Sequence, residues 1–284
     1  MHIRFNLNLK TKIFLIAFLI LTAHSQAEAN LSIICTLYPQ FDFTREIVKD
    51  LADVKLLLKP GIEPHEFELT PKDIMILNNA DLIIYTGNLM EVWAERIFNA
   101  LDNKNMILNL SDGIEILNND PHIWLNMLNA ISMVEKIADA VCKLDPENAE
   151  FYKNNAQNYI SQLQNFDDAF MKFKGREIIF AGEFSYYYFV ERYGINYLSA
   201  YNGETEAGFK QVAEIIKHVR ENNIKYIFCD AFEISDISRQ IANETGAQIL
   251  ILNTAHNVPD LNMTFAEIVN DNLKNLELAV NQHE

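Results

Sequence analysis

The chain has 284 residues with 23 Lys and Arg against 39 Asp and Glu, which gives a formal net charge of −16. A chain this acidic is repelled by a phosphate backbone, so nucleic acid is excluded as an expected partner. The chain has three cysteines, an odd number, and no Cys-x-x-Cys motif. This pattern indicates buried thiols rather than a disulfide framework or a metal cluster.

Residues 1–29 have the pattern of a secretory signal peptide. Three basic residues precede an apolar stretch at 13–23, which is shorter than the ~20 residues that a bilayer span needs. The sequence "AEA" at 27–29 is a small-x-small cleavage site. No cysteine follows the apolar stretch closely, so we expect no lipid anchor. The sequence therefore predicts an exported protein, most simply periplasmic, that begins near residue 30.

From residue 30 onward, apolar strands alternate with segments of helical periodicity. The strands read as continuous apolar runs, among them "LSIICTLYP", "LIIYTGN", "EIIFAGEF" and "IKYIFCDAF". Such runs are expected of parallel strands that are covered on both faces. The alternation predicts an α/β fold with two sets of about four mainly parallel strands flanked by helices.

A long helical segment separates the two sets of strands. Its apolar positions recur every three or four residues and form one stripe: Tyr152, Ala156, Tyr159, Leu163, Phe166 and Phe170. We therefore predict four parts of the chain: a signal peptide (1–29), an N-terminal α/β lobe (30–146), one rigid linking helix (147–174) and a C-terminal α/β lobe (175–284).

Polar residues at the carboxyl ends of the strands are the candidates for a binding site, since ligands of open parallel sheets bind there. Three of the five histidines after residue 29 follow predicted strands: His65 in "GIEPHEFELTP", His122 in "DPHIWLN" and His256 in "LNTAHNV". Acidic side chains follow two further strands: Glu183 in "GEF", and Glu204 and Glu206 in "NGETEAG".

Three imidazoles and a carboxylate in one cleft predict a metal site. Nitrogen ligands with one carboxylate suit tetrahedral zinc, whereas a more oxygen-rich set suits manganese. The alternative is that these loops only cap helices or face solvent, and a lone histidine is more often such a residue. Capping explains Asp120 and Thr205 but does not explain the three histidines.

Three segments resemble a known family. "PGIEPHEFELTPKDIMILNNADLIIYTGNLMEVW", "DPHIWLN" and "GEFSYYYFVERYG" are similar to metal-ligand segments of the zinc/manganese-binding proteins of ABC transporters, the ZnuA/TroA-type family. The resemblance covers essentially the whole chain after the predicted signal peptide. It implies two α/β lobes on a rigid helix, with a metal ion held between the lobes and delivered to a membrane permease.

The resemblance implies a ligand set of His65, His122, Glu183 and a fourth residue after the last strand. The family usually has an aspartate at the fourth position, and the aligned residue is Asn253, which is a poor ligand, so we assign this role to His256. Glu183 is preferred as the carboxylate ligand, but Glu206 remains an alternative, either as ligand or as a group that orients a histidine. Glu204 and Asn253 are the remaining alternatives.

The predicted function is a monomeric, non-enzymatic periplasmic receptor that binds Zn²⁺ with high affinity and delivers it to an ABC permease. A manganese receptor of the same family is one alternative. A zinc hydrolase is another, and it would need an open coordination position and a general base, for which Glu206 is the candidate. A receptor for chelated iron or a vitamin would need aromatic or arginine groups in the cleft instead of histidines.

Overall fold

The computed structural model describes residues 31–62, 67–101, 106–182, 184–200, 208–231, 234–256 and 258–281. Strands and helices alternate within these ranges: β1 (Leu31–Cys35), α1 (Tyr38–Val48), β2 (Ala52–Leu56), α2 (Pro71–Asn78), β3 (Leu82–Tyr85), α3 (Ala94–Phe98), β4 (Met106–Asn109), α4 (Met127–Leu144), α5 (Ala149–Phe170), β5 (Glu177–Phe180), α6 (Tyr187–Tyr193), β6 (Asn196–Ser199), α7 (Phe209–Glu221), β7 (Tyr226–Cys229), α8 (Asp236–Thr245), β8 (Gln248–Ile251) and α9 (Phe265–Val280). Within these ranges, no helix is both long and apolar enough to cross a membrane. The predicted signal peptide lies outside the described residues.

The strands form two four-stranded parallel sheets, as the continuous apolar runs predicted. Their orders are β2-β1-β3-β4 and β6-β5-β7-β8. Every pairing within the two sheets is parallel. In each sheet the chain first adds a strand on one side of the first strand of the lobe and then crosses to its other side. The strand order therefore reverses between β1 and β3 in one sheet and between β5 and β7 in the other. The crevice that accepts ligands in such sheets therefore lies at the carboxyl ends of β1 and β3 in one lobe and of β5 and β7 in the other.

Strand β3 is shorter than its apolar run predicted, and the buried carboxylate of Glu91 explains why. The backbone N–H groups of Thr86 and Gly87 donate to this carboxylate, at 3.1 and 3.0 Å, and the Thr36 hydroxyl after β1 also donates to it. Burial raises the pKa of Glu91. A Cβ on Gly87 would lie 2.3 Å from Ser111 Oγ, so only glycine fits at this turn. The ends of β1 and β3 are thus fixed by one side chain.

Helix α5 is the long linking helix that the apolar stripe predicted. It has 22 residues and is therefore about 33 Å long. It is shorter than the predicted 147–174 because both of its ends tighten into 3₁₀ turns, Pro146–Asn148 and Met171–Phe173. All six residues of the predicted stripe are buried. Near its end, Asp167 accepts hydrogen bonds from Arg192 and Tyr193 of α6, which attaches the linking helix to the second lobe.

The two lobes share one hydrophobic core. A single cluster of buried apolar side chains includes Ile33 and Ile84 of the first sheet, Leu163 of the linking helix, and Phe180 and Phe228 of the second sheet. Separate, smaller clusters cover the opposite face of each sheet. Because the shared cluster is continuous, relative movement of the lobes would expose apolar surface to water.

A buried carboxylate, Asp42 on α1, lies within this interface between the lobes. Its Oδ2 accepts the backbone N–H of Phe265, the first residue of α9, at 3.1 Å and the Tyr159 hydroxyl at 3.3 Å. Among the described residues, its Oδ1 has no hydrogen-bond partner. Burial raises the pKa of Asp42 to about 6, although the Phe265 N–H opposes this shift. The ionised form of Asp42 therefore reduces the stability of the fold.

We predict that Asp42→Asn stabilises the protein relative to the parent as pH rises from about 4 to 7. The folded pKa of about 6 lies above the unfolded value, so the contribution of Asp42 to stability is complete below pH ~4 and is lost as pH rises through 6. The difference in unfolding free energy should grow by up to about 3 kcal/mol. Urea denaturation across this pH range measures it. Asp50→Asn, at an exposed position, is the control, and an equal trend in both variants would contradict the prediction.

The shared core also predicts that metal binding changes the overall shape little. We expect a small tilt or local loop ordering rather than a wide hinge, because a wide hinge would open the apolar cluster. X-ray scattering of the protein with and without zinc should give nearly superimposable profiles. A clear fall in the radius of gyration on zinc addition would show that the lobes move as independent bodies.

Candidate metal centre

His122 is buried in the loop after β4, and Asp120 fixes its orientation. Asp120 Oδ1 accepts the His122 backbone N–H at 2.9 Å and the ring Nδ1–H at 2.6 Å. A carboxylate oxygen accepts hydrogen bonds, so the ring proton lies on Nδ1 and Nε2 is the nitrogen suited to a metal ion. A carboxylate of this kind beside a histidine is the usual companion of a metal-ligating imidazole.

Side chains and backbone of the second lobe hold the loop that carries His122. Asp120 Oδ2 accepts the backbone N–H of Tyr187, at the start of α6, at 3.2 Å. The Tyr188 hydroxyl donates to the Glu115 carbonyl at 3.1 Å and accepts from the Leu117 N–H at 3.2 Å. Asp120 therefore does interact with a helix N-terminus, as the capping alternative proposed, but that helix belongs to the other lobe. The same carboxylate also orients His122.

The loop after β8 carries His256, and Asn253 shapes it. Asn253 Oδ1 accepts the Ala255 N–H at 2.8 Å, and Ala255 has a left-handed backbone with φ of 59°. Asn272 on α9 forms hydrogen bonds with both backbone groups of Asn253. Its Oδ1 accepts from the Asn253 N–H at 2.7 Å, and its Nδ2 donates to the Asn253 carbonyl at 2.8 Å. The side-chain oxygen of Asn253, one of the alternative ligands, is thus engaged in forming the turn that precedes His256.

The histidines of the two lobes meet at the interface. The ring centroids of His122 and His256 are 5.8 Å apart, with the ring planes tilted by 38°. Two imidazoles on one tetrahedral zinc ion, with Zn–N bonds of about 2.0–2.1 Å, have ring centres about 5 Å apart. The Thr254 hydroxyl lies 3.0 Å from His256 Nδ1, so the Nδ1 atom of each ring has a hydrogen-bonding side chain beside it.

The pair of histidines is the part of the predicted site that the structure describes. Within the described ranges, no group of three or more His, Cys, Asp or Glu side chains is arranged to hold a metal ion. Four of the predicted ligands or alternatives lie outside the described residues: His65, Glu183, Glu204 and Glu206. The described geometry fits two nitrogen ligands from opposite lobes and leaves the assignment of the others as a prediction.

Sequence reasoning missed the groups that orient the two histidines, although a signal for them was present. In both loops a side-chain oxygen stands two residues before the histidine, in Asp120-x-His122 and in Thr254-x-His256. The residues between strand and histidine were therefore informative, but Asp120 was considered only as a helix cap and Thr254 was not considered.

Two parallel-sheet lobes, a long linking helix and histidines converging between the lobes define a two-lobe metal-binding protein. The chain belongs to the ZnuA family, described as the periplasmic component A of a zinc-uptake complex, whose model matches residues 33–279. This confirms the resemblance predicted from the three motifs. It also confirms the interpretation as a binding protein for uptake rather than a hydrolase, because the family is not a family of enzymes.

Relatives and solved structures agree with this membership. The chain is 28% identical to the high-affinity zinc uptake system protein ZnuA of Bacillus subtilis, over 87% of each chain. The crystal structure of the metal-dependent lipoprotein YcdH from Bacillus subtilis matches with a TM-score of 0.78 and 30% identity, over 88% of this chain and 98% of that one. The Zn(II)-bound ZnuA-like domain of Streptococcus pneumoniae AdcA matches with a TM-score of 0.77 and 27% identity, over 89% and 100%. The chain spans only 56% of the length of the AdcA protein of Streptococcus pyogenes.

We predict that Asn253 stabilises the turn and does not bind the metal. Asn253→Ala removes the acceptor for the Ala255 N–H and should cost about 1 kcal/mol, which lowers Tm by about 2–4 °C in a chain of this size. Asn253→Asp keeps an oxygen acceptor and should restore stability. Thermal unfolding and a zinc titration of both variants measure the two effects. A loss of zinc affinity in Asn253→Ala as large as in His256→Ala would contradict the prediction.

Proposed function

We propose that this protein is a high-affinity zinc receptor that captures Zn²⁺ between its two lobes and delivers it to the permease of an ABC transporter. The observation that carries the proposal is the meeting of His122 and His256, one from each lobe, with ring centroids 5.8 Å apart. The names of the relatives, a zinc uptake protein and a Zn(II)-bound domain, support the same metal.

The proposed ligand set is His65, His122, Glu183 and His256. Three nitrogen donors and one carboxylate give a set that suits zinc better than manganese. Glu206 is the alternative carboxylate, with Glu204 less favoured. Capture needs deprotonated ligand atoms and no chemical turnover, and each lobe alone supplies two of the four ligands. The complete site therefore exists only where the lobes meet.

We propose that residues 1–29 are a cleavable signal peptide, that the protein works in the periplasm, and that lobes 30–146 and 175–284 are joined by the segment 147–174. We also propose a monomer without affinity for nucleic acid. The net charge of −16 supports the last point and favours cations near the surface.

We predict that the parent protein binds one zinc ion per chain, and that His122→Ala and His256→Ala each weaken binding by at least about a hundredfold. This is the upper end of what a change beside a metal ligand costs, and loss of the ligand itself should cost more. Competition with a chromophoric chelator measures the affinity. His218→Ala is the matched control, since His218 pairs with Glu177 on the surface of the second sheet and should leave zinc binding unchanged.

The same titration decides between the metals and between the carboxylates. Tighter binding of manganese than of zinc would replace the zinc receptor with a manganese receptor. Glu183→Gln and Glu206→Gln should differ, and the larger loss of zinc affinity identifies the carboxylate ligand. Unchanged zinc binding in both histidine variants would refute the proposed site.

A further inference from the structure

Trp124 links the loops of the two histidines across the interface. It lies two residues after His122 and is fully buried, and its indole N–H donates to the Thr254 carbonyl at 2.6 Å. Its ring also packs edge-on against the His122 ring, with centroids 5.3 Å apart. One side chain of the first lobe thus contacts His122 and the residue two positions before His256.

Thr254 is the point at which these contacts reach His256. It is buried, and its backbone N–H donates to Asp230 Oδ2 at 3.0 Å. Its carbonyl accepts from Trp124, and its hydroxyl lies 3.0 Å from His256 Nδ1. Three of its polar groups are therefore engaged with three different partners, which fixes the direction in which its hydroxyl points.

We propose that Thr254 is a positioning residue for metal capture: it couples the placement of the His256 ring to that of His122 through the hydrogen bond from Trp124. The proposal rests on the proposed function, because it assigns a role to Thr254 in the binding of the same metal ion. The contacts form a closed path, from His122 through Trp124 and Thr254 to His256 and back across the 5.8 Å between the two rings.

The two orienting groups act differently on their histidines. The Asp120 carboxylate accepts hydrogen bonds, so it holds the proton of His122 on Nδ1. The Thr254 hydroxyl both donates and accepts, so it tolerates either tautomer of His256. When Nε2 of His256 binds an ion, its proton lies on Nδ1 and the Thr254 oxygen accepts it. His122 is thus set before the ion arrives, and Thr254 lets His256 adopt the required tautomer at capture.

The test removes the Thr254 hydroxyl while keeping the side-chain shape and the backbone contacts. Thr254→Val retains the branched side chain and the carbonyl that accepts from Trp124. Loss of a group that orients a metal ligand typically weakens metal binding by about 10–100-fold, and we expect a zinc Kd raised within this range. Thr254→Ser restores a hydroxyl and should bring the Kd back to within a small factor of the parent value.

A spectroscopic measurement separates positioning from a general loss of structure. Long-range ¹H–¹⁵N spectra of the imidazoles report the tautomer of each histidine, with His256→Ala to assign the signal. In zinc-loaded parent protein, His256 should carry its proton on Nδ1, and in Thr254→Val this signal should broaden or shift while that of His122 is retained. The Tm of the metal-free variants, measured in parallel, should stay close to that of the parent.

A double-mutant cycle tests the path through Trp124. Trp124→Phe keeps an aromatic ring but removes the N–H donor, so it should also raise the zinc Kd. If both residues act through one path, Trp124→Phe combined with Thr254→Val should cost less than the product of the two single effects. If the increase in zinc Kd of the double variant equals the product of the two single increases, the two residues act independently, and the proposed coupling through Trp124 is overturned.

The outcomes separate this inference from the proposed function. Thr254→Val that binds zinc as tightly as the parent, while His256→Ala does not, would overturn the positioning role and leave the zinc receptor intact. Thr254→Ser as weak as Thr254→Val would also overturn it, because the hydroxyl would then be irrelevant. A parent protein that binds no zinc would overturn both.

Discussion

One apolar core joins the two sheets through the linking helix, and the geometry between the lobes depends on it. Ile84, Leu163 and Phe228 belong to a single buried cluster, although each comes from a different part of the fold. The polar contacts between the lobes, such as that of Trp124 with Thr254, lie beside this cluster and are shielded from water. A hydrogen bond in such surroundings is costly to break, because the separated groups find no water to replace the partner.

The parts of the fold that depend on local periodicity could be predicted from the sequence. Continuous apolar runs identified the inner strands β1, β3, β5 and β7, which are largely buried, whereas the outer strands are partly exposed. The stripe from Tyr152 to Phe170 identified the linking helix, because burial imposes a repeat on the residues that face the core. His122 could be proposed as a candidate ligand because its motif follows a strand end, where parallel sheets bind ligands. These predictions needed no knowledge of distant contacts.

Contacts between distant residues could not be predicted. Trp124 and Thr254 are 130 residues apart, and Asp42 and Phe265 are 223 apart, and neither pair leaves a periodic trace in the sequence. The end of β3 was placed too late for a different, local reason: Glu91 accepts the N–H groups of Thr86 and Gly87, which therefore do not extend the ladder. A side-chain oxygen two residues before a histidine was a local clue, and Glu63-x-His65 repeats that spacing in the sequence.

The contact between Asp42 and the start of α9 has a consequence for the order of folding. The carboxylate on the first helix receives its backbone donor from residue 265, so the interface of the first lobe remains incomplete until nearly the whole chain has been synthesised. Contacts of such large sequence separation slow folding, since the chain between them must be ordered first. In a growing chain, the contact between the first and last helices therefore forms only after α9 has been synthesised.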